Sequence, residues 1–149
     1  VLWSHYAARH QGICLGFDVK RSQAMPVQYE DERIRDEFED PANPLKISDA
    51  LQRLLVRTKF RHWEYEEEYR VFLNLKDTFD DGTHKFVPFD QDIRLREVIA
   101  GPRYSLHLRR LRKLTQDRYP GVAVFKARLA FKFFKVVPDA RTVRSMTSD

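Results

Sequence analysis

The sequence predicts an α+β fold with a single mixed, mostly antiparallel sheet that two main helices partly cover. Short apolar runs bounded by turn residues predict the strands, and two longer segments with apolar residues at helical spacing predict the helices. Hydrophobic residues make up 42% of the 149 residues and aromatic residues 13%, enough to build a core and to exclude an intrinsically disordered chain. We expect one domain over residues 1–140 and a polar C-terminal tail over residues 141–149.

Membrane-spanning, disulfide-stabilised and metal-binding classes are not expected. The apolar stretch over residues 129–137 is interrupted by Lys132 and Lys135 and falls short of the roughly 18 residues that span a bilayer. Cys14 is the only cysteine, so no intramolecular disulfide can form, which favours a reducing cytoplasm. The histidines lack the spacing of metal ligands. The predicted localisation is therefore cytoplasmic, with no membrane partner and no metal.

Two segments predict the main helices. The first begins at the N-cap Ser48 and continues to about Phe60, and the second spans residues 105–118. The residues predicted to face the core are Ile47, Leu51, Leu54, Leu55 and Thr58 in the first helix and Leu108, Leu111 and Thr115 in the second. A shorter helix over residues 2–10 should end at Gly12 in a left-handed conformation.

Short apolar segments between turn residues predict the strands. These segments are residues 13–17, 26–29, 71–75, 86–89, 95–100, 122–125 and 129–137. A loop is expected over residues 40–44, because each of its two prolines pushes the preceding residue out of helical geometry.

The segment from Trp63 to Arg70 contains the candidate catalytic residues. If residues 66–72 are extended, Glu66, Glu68 and Arg70 share one face, where they would provide a general base or stabilise a developing cation. If the segment is helical instead, Glu66 and Arg70 form an i,i+4 pair of structural value. The sequence leaves both alternatives open.

The candidate substrate-binding residues are three aromatic side chains. His5 and Tyr6 lie near the start of the chain, and Trp63 begins the segment that contains the carboxylates. A titratable ring beside a stacking face suits a nucleotide or a nicotinamide. Adjacent helical residues point in different directions, so only one of His5 and Tyr6 is expected to face a pocket. The alternative is a core position for the aromatic rings and a backbone partner for His5.

The net charge of +5 is unevenly distributed. Residues 103–135 contain ten basic residues and one acidic residue, whereas residues 30–40 contain seven acidic residues and two basic ones. The candidate nucleic-acid-binding residues are Arg109, Arg110, Arg112 and Lys113, with Phe131, Phe133 and Phe134 available for stacking on a base. The alternatives are a solvated helix followed by an edge strand that its lysines protect from aggregation, and an acidic stretch that contacts a basic partner protein.

Several motifs occur together in one order: Trp3-Ser4-His5-Tyr6-Ala7, then residues 10–18, then Lys59 before Trp63-x-Tyr65-Glu66-x-Glu68-Tyr69-Arg70, then Val98-Ile99-Ala100-Gly101. In this order they resemble the bacterial domain of unknown function 2971 family over the first two thirds of the chain. Members usually carry further residues before the first motif. The resemblance therefore implies either the C-terminal portion of a longer protein or a trimmed variant, and an upstream segment would be supplied by the same protein or by a partner chain.

The spacing Glu66-x-Glu68 is also similar to the Glu-x-Glu of ADP-ribosyltransferases. That similarity implies NAD as the bound nucleotide, with no other cofactor expected, and a role in toxin or defence systems. Glu68 would then stabilise an oxocarbenium-like transition state, Glu66 would orient the acceptor, and Tyr6 or His5 would pack on the nicotinamide. The alternative function is a non-catalytic nucleic-acid-binding or protein-interaction module that uses residues 103–135.

Overall fold

The structure is a computed structural model that describes residues 2–34, 47–89 and 92–143. Its strands are β1 (Ile13–Val19), β2 (Ala24–Pro26), β3 (Gln28–Glu30), β4 (Thr58–Phe60), β5 (Tyr69–Val71), β6 (Phe79–Asp80), β7 (Lys85–Phe86), β8 (Ile93–Ala100), β9 (Ala123–Leu129) and β10 (Val136–Pro138). Its helices are α1 (Leu2–Tyr6), α2 (Asp49–Arg57), α3 (Leu108–Gln116) and α4 (Ala140–Val143), with 3₁₀ helices at Arg61–Glu66 and Leu75–Asp77. The chain divides into two compact units: the first is Val1–Val19 with Val87–Asp149, and the second is Lys20–Phe86.

The first unit is built on a four-stranded sheet with the order β1-β8-β9-β10. β1 pairs antiparallel with β8, and the pairing ends with Val19 opposite Ile93. β8 and β9 are parallel, and the connection between them contains α3. β10 then returns antiparallel on β9, with Val136 opposite Leu129. The sheet is therefore mixed, with β8 and β9 as its central strands.

The core of the first unit lies between this sheet and α3. Its buried cluster consists of Leu95, Val98, Val122 and Val124, and the partly buried residues packed on it are Phe17, Phe89, Leu108, Leu111 and Tyr119. Each fully buried side chain of this kind stabilises the fold by about 1.5–3 kcal/mol. The predicted inward face of α3 is confirmed, because Leu108 and Leu111 pack on the cluster and Thr115 is buried.

The described residues of the second unit form three two-stranded sheets, β2-β5, β3-β4 and β6-β7, of which only β3-β4 is parallel. The helix α2 begins as predicted at Ser48, whose hydroxyl accepts a hydrogen bond of 3.1 Å from the Leu51 N–H. Leu51 is fully buried and anchors α2. The parallel register of β3 and β4 places Tyr29 opposite Lys59.

The α+β class is confirmed, but the prediction of a single sheet is wrong. The described residues form four separate sheets, and the strands of the second unit are only two or three residues long. The first main helix ends earlier than predicted because Thr58 takes extended dihedral angles and begins β4. The second begins later, at Leu108. A single domain over residues 1–140 stays a prediction.

Two local predictions are wrong because of backbone turns. The helix predicted over residues 2–10 ends at Tyr6, since Ala8, Arg9 and His10 have φ angles of 44°, 54° and 72°, and Gly12 is not the left-handed residue. The strand predicted over residues 129–137 is interrupted by a loop that reverses the chain between β9 and β10. The loop predicted at residues 40–44 and residues 144–149 of the predicted tail lie outside the described residues.

Candidate functional site

Four charged side chains of the second unit converge where the sequence predicted three. We call Lys59 in β4, Glu66 at the end of the 3₁₀ helix, Glu68, and Arg70 in β5 the charge network. The Lys59 Nζ donates to Glu66 Oε2 and, at 3.0 Å, to Glu68 Oε2. Arg70 donates to the same Glu68 carboxylate, from Nε to Oε1 at 2.6 Å and from Nη2 to Oε2 at 3.3 Å.

The backbone at Glu67 brings the two carboxylates to one ammonium group. Glu67 adopts φ 46° and ψ 47°, in the left-handed region, and its N–H donates to the Glu64 carbonyl at 3.0 Å. The 3₁₀ helix therefore ends here, and the chain turns into β5. The segment is neither extended from Glu66 nor helical through to Arg70, so neither alternative that the sequence left open describes it. A left-handed residue with a side chain costs about 1–2 kcal/mol, which the surrounding ion pairs help to offset.

Three further hydrogen bonds connect the charge network to the rest of the second unit. Arg70 Nη1 donates to the Val56 carbonyl in α2 at 2.6 Å. The backbone N–H of Glu68 donates to the Tyr29 hydroxyl at 2.9 Å, and the Glu68 carbonyl accepts from the Val27 N–H at 3.0 Å. The charge network therefore links α2, β3 and β5, which is a structural role in its own right.

Glu68 is held in its ionised form. The hydrogen bond from Arg70 is the largest cause and the bond from Lys59 adds to it; together they outweigh partial burial and lower the pKa of Glu68 from 4.5 to about 2. The hydrogen bond to Glu66 is the main cause that raises the pKa of Lys59. Only 6% of the Glu66 side chain is exposed, against 27% for Glu68. Glu68 is thus a weak base that carries a negative charge at neutral pH.

The predicted substrate-binding residues lie in both units. Trp63 borders the charge network, with the Lys59 Nζ 5.2 Å from the centre of its ring, and the Tyr65 ring lies 6.0 Å from that of Trp63. His5 and Tyr6 belong to α1 of the first unit, where both are exposed and their ring centres are 6.5 Å apart. Their predicted contacts with a nucleotide stay a prediction.

The predicted nucleic-acid-binding residues of α3 fall into two groups. Arg109, Arg110 and Lys113 are exposed. Arg112 is partly buried, and its guanidinium donates to two backbone carbonyls, from Nε to Val124 at 3.3 Å and from Nη2 to Thr142 at 2.8 Å. Arg112 therefore holds α3 to the sheet, whereas the other three side chains extend into solvent.

The turn between β9 and β10, residues 130–135, exposes three phenylalanines; we call it the Phe loop. The relative exposure is 92% for Phe131, 70% for Phe133 and 112% for Phe134. Two backbone hydrogen bonds of 2.8 Å, from Ala130 N–H to the Lys135 carbonyl and from Lys135 N–H to the Phe133 carbonyl, close the loop. Its aromatic side chains are thus displayed on a hydrogen-bonded turn.

Two cavities adjoin these features. In the second unit a cavity of about 620 Å³ is lined by residues that include Glu30, Asp31, Lys59 and Phe60. In the first unit a cavity of about 450 Å³ is lined by His10 and residues 129–136. Lys59 is the site residue that the sequence prediction missed, although its place before the Trp63 motif was a usable signal. The acidic residues predicted at positions 36–40 lie outside the described residues.

Neither a group of metal ligands nor a membrane-spanning helix is found in the part of the chain that the structure describes. There, no three residues among the histidines, cysteines, aspartates and glutamates are grouped so that they could hold a metal ion. Within the same residues, no helix has the length and apolar character needed to cross a membrane.

The charge network and the segments leading to it coincide with a family match. The family described as protein of unknown function, DUF2971, matches residues 2–71. Residues 2–71, just under half of the chain, are thus similar to this family. The match ends one residue after Arg70, so it includes the whole charge network, and it stops before α3 and the Phe loop. No curated protein and no solved structure matches the chain.

Proposed function

We propose that the protein binds nucleic acid through the exposed cations of residues 103–135. One observation carries this proposal: seven cationic side chains of this region are exposed, and none forms an ion pair with a described residue. They are Arg103, Arg109, Arg110, Lys113, Arg118, Lys132 and Lys135. Cations at this density with no carboxylate partner favour a polyanion, because each phosphate contact releases a condensed counterion.

The second unit supports the proposal by contrast. Four of its cations, Lys59, Arg61, Arg70 and Lys85, pair with carboxylates of the same unit. A paired cation gains little from a phosphate, because the phosphate must first replace the carboxylate. Exposed cations without an ion pair to a described residue occur in both units, including Arg21, Arg53 and Lys76 in the second, but they are more numerous in the first.

The test is the salt dependence of binding to a fluorescently labelled oligonucleotide, followed by anisotropy. We expect affinity to fall by about tenfold or more between roughly 50 and 200 mM salt. In the variant Lys113→Glu the logarithmic salt slope should decrease in magnitude by about 1, because one phosphate contact is lost.

The matched control is Lys76→Glu, which makes the same charge change at an exposed lysine of the second unit. It should leave the affinity and the slope near those of the unaltered protein. Binding that ignores salt, or equal weakening by both variants, would contradict the proposal.

A second candidate function, transfer of ADP-ribose from NAD, is favoured by the convergence of Glu66, Glu68 and Arg70. An ionised Glu68 that is bonded to Lys59, whose ammonium lies 5.2 Å from the centre of the Trp63 ring, is suited to stabilise positive charge on a ribose while the aromatic ring stacks on the nicotinamide. A bacterial cytoplasmic role in toxin or defence systems would accompany this activity. The candidate ranks second because Lys59 and Arg70 already balance the charge of Glu68 and Glu66 is nearly buried.

Its test is NAD consumption, measured by release of nicotinamide. Glu68→Gln should lower the rate by at least about a hundredfold, since a charge that stabilises the transition state is removed. The neighbouring exposed residue supplies the control, Glu67→Gln, which should retain the rate. Absence of turnover in the unaltered protein, with any acceptor, would rule out this second function.

A further inference from the structure

The Phe loop exposes aromatic side chains that its own hairpin does not bury. Phe131, Phe133 and Phe134 are each at least 70% exposed, although a phenylalanine gains about 1.5–3 kcal/mol when it is buried. Contiguous apolar patches on a protein surface mark binding sites more often than they mark neutral surface. The loop therefore has the character of a binding surface for a ligand that covers aromatic rings.

The charges of the loop define that occupant as an anion. Lys132 and Lys135 alternate with the phenylalanines, and the guanidinium carbon of Arg128 lies 4.7 Å from the centre of the Phe131 ring. No acidic residue occurs in residues 118–138. A second copy of the same loop would meet like charges, which disfavours self-association through this surface.

An aromatic and cationic surface of this kind fits single-stranded nucleic acid better than a duplex. In a duplex the faces of the bases are stacked on one another, so phenylalanine rings cannot reach them, whereas unpaired bases offer their faces. The adjoining cavity of about 450 Å³ falls in the size range of small-ligand sites. His10 also lines it.

We infer that the Phe loop is a stacking platform for the unpaired bases of single-stranded nucleic acid, an inference that rests on the nucleic-acid binding proposed above. Phe131, Phe133 and Phe134 stack on bases, and Lys132 and Lys135 contact the backbone phosphates between them. The exposed cations of α3 contribute affinity for either form of nucleic acid. The Phe loop supplies the preference for single strands.

The experiment compares three probes by anisotropy or sedimentation: a deoxythymidine oligomer of about 12 nucleotides, a duplex of the same length, and vesicles that contain phosphatidylserine. The triple variant Phe131→Leu, Phe133→Leu, Phe134→Leu keeps the apolar character and removes the aromatic faces. The unaltered protein should prefer the single strand by roughly tenfold or more. The leucine variant should lose this preference and keep its affinity for the duplex, whereas the control Phe72→Leu, at an exposed position of the second unit, should change neither.

The remaining outcomes separate the inference from the proposed function. Equal affinity for single strand and duplex, or an undiminished preference in the leucine variant, overturns the stacking platform and leaves nucleic-acid binding in place. Failure to bind either oligonucleotide overturns both. Binding to vesicles that survives the leucine substitutions, without a single-strand preference, assigns the Phe loop to a lipid surface instead.

Discussion

The charge network of the second unit and the Phe loop of the first differ in how far their chemistry is already satisfied. In the charge network both carboxylates have cationic partners, and the Arg70 guanidinium also reaches a backbone carbonyl. In the Phe loop three rings lie in solvent and two lysines have no ion pair with a described residue. The first region has the interactions expected of a structural element, and the second has the unmet contacts expected of a binding surface.

This difference separates the segment that matches a family from the segment proposed to bind a ligand. The DUF2971 match covers residues 2–71 and thus the charge network, whose contacts connect α2, β3 and β5. The Phe loop lies beyond the match. The segment that matches the family thus contains a network with structural contacts, while the surface proposed to contact a ligand lies elsewhere in the chain.

The largest expected effect is the loss of the ammonium that joins the two carboxylates. Lys59→Met should destabilise the protein by about 3 kcal/mol, because the nearly buried Glu66 carboxylate loses its bond to Lys59. Urea unfolding followed by tryptophan fluorescence measures it, and one of the two tryptophans, Trp63, borders Lys59. The matched change at an exposed lysine, Lys76→Met, should cost less than about 0.5 kcal/mol. Equal stability of the two variants would show that the charge network is not structural.

The second effect compares two arginines of one helix. Arg112→Ala should destabilise the protein by about 2–3 kcal/mol, because two charge-assisted hydrogen bonds to backbone carbonyls are lost. The exposed Arg109→Ala should leave the unfolding free energy within about 0.5 kcal/mol. Thermal unfolding of both variants measures the difference, and similar melting temperatures would contradict the division of α3 into bonded and exposed cations.

The third effect is a pH dependence of stability. The pKa of Glu68 is lowered from 4.5 to about 2 on folding, so its ionised form stabilises the protein above pH 4.5, and this contribution is lost as the pH falls towards 2. Glu68→Gln should therefore cost about 1–2 kcal/mol at pH 7, after allowance for solvent screening of the partly exposed carboxylate, and almost nothing at pH 2. Urea unfolding across this pH range measures it, with Glu67→Gln as the control. A constant difference at every pH would contradict it.

The smallest change in the free energy of unfolding is expected for substitutions in the Phe loop. Replacement of Phe131, Phe133 and Phe134 by serine should cost less than about 1 kcal/mol, mainly the contact between Arg128 and Phe131. Phe125→Ala, at a buried position of β9, should cost about 3–5 kcal/mol. Circular dichroism melts of the two variants make the comparison. A large loss in the serine variant would mean that the Phe loop packs within the fold.

Features that depend on neighbouring residues were predictable from the sequence. The Ser48 cap and the inward face of α3 follow from local side-chain chemistry and helical spacing, and both are present. The strand over residues 13–17 was also correct in place, within β1. These features depend only on residues that are close in sequence, so they do not require the positions of distant residues.

Features that depend on distant residues or on single backbone angles were not predictable. Lys59 reaches Glu68 because β3 and β4 pair in parallel, which no local pattern indicates. The left-handed Glu67 is a glutamate where glycine or asparagine is usual, so its turn has no signal. The apolar residues at 129–137 have a strand-like composition, and only the return of Val136 to Leu129 makes the intervening phenylalanines a turn.

The pairing of Val19 with Ile93 also has a consequence for synthesis on the ribosome. β1 is made before its partner β8, which emerges only after the whole of Lys20–Phe86 has been translated. At roughly 5–20 residues per second, β1 waits several seconds without a partner strand. The second unit can complete its short-range contacts during that interval, whereas the first cannot complete its sheet until β8, β9 and β10 have also been made.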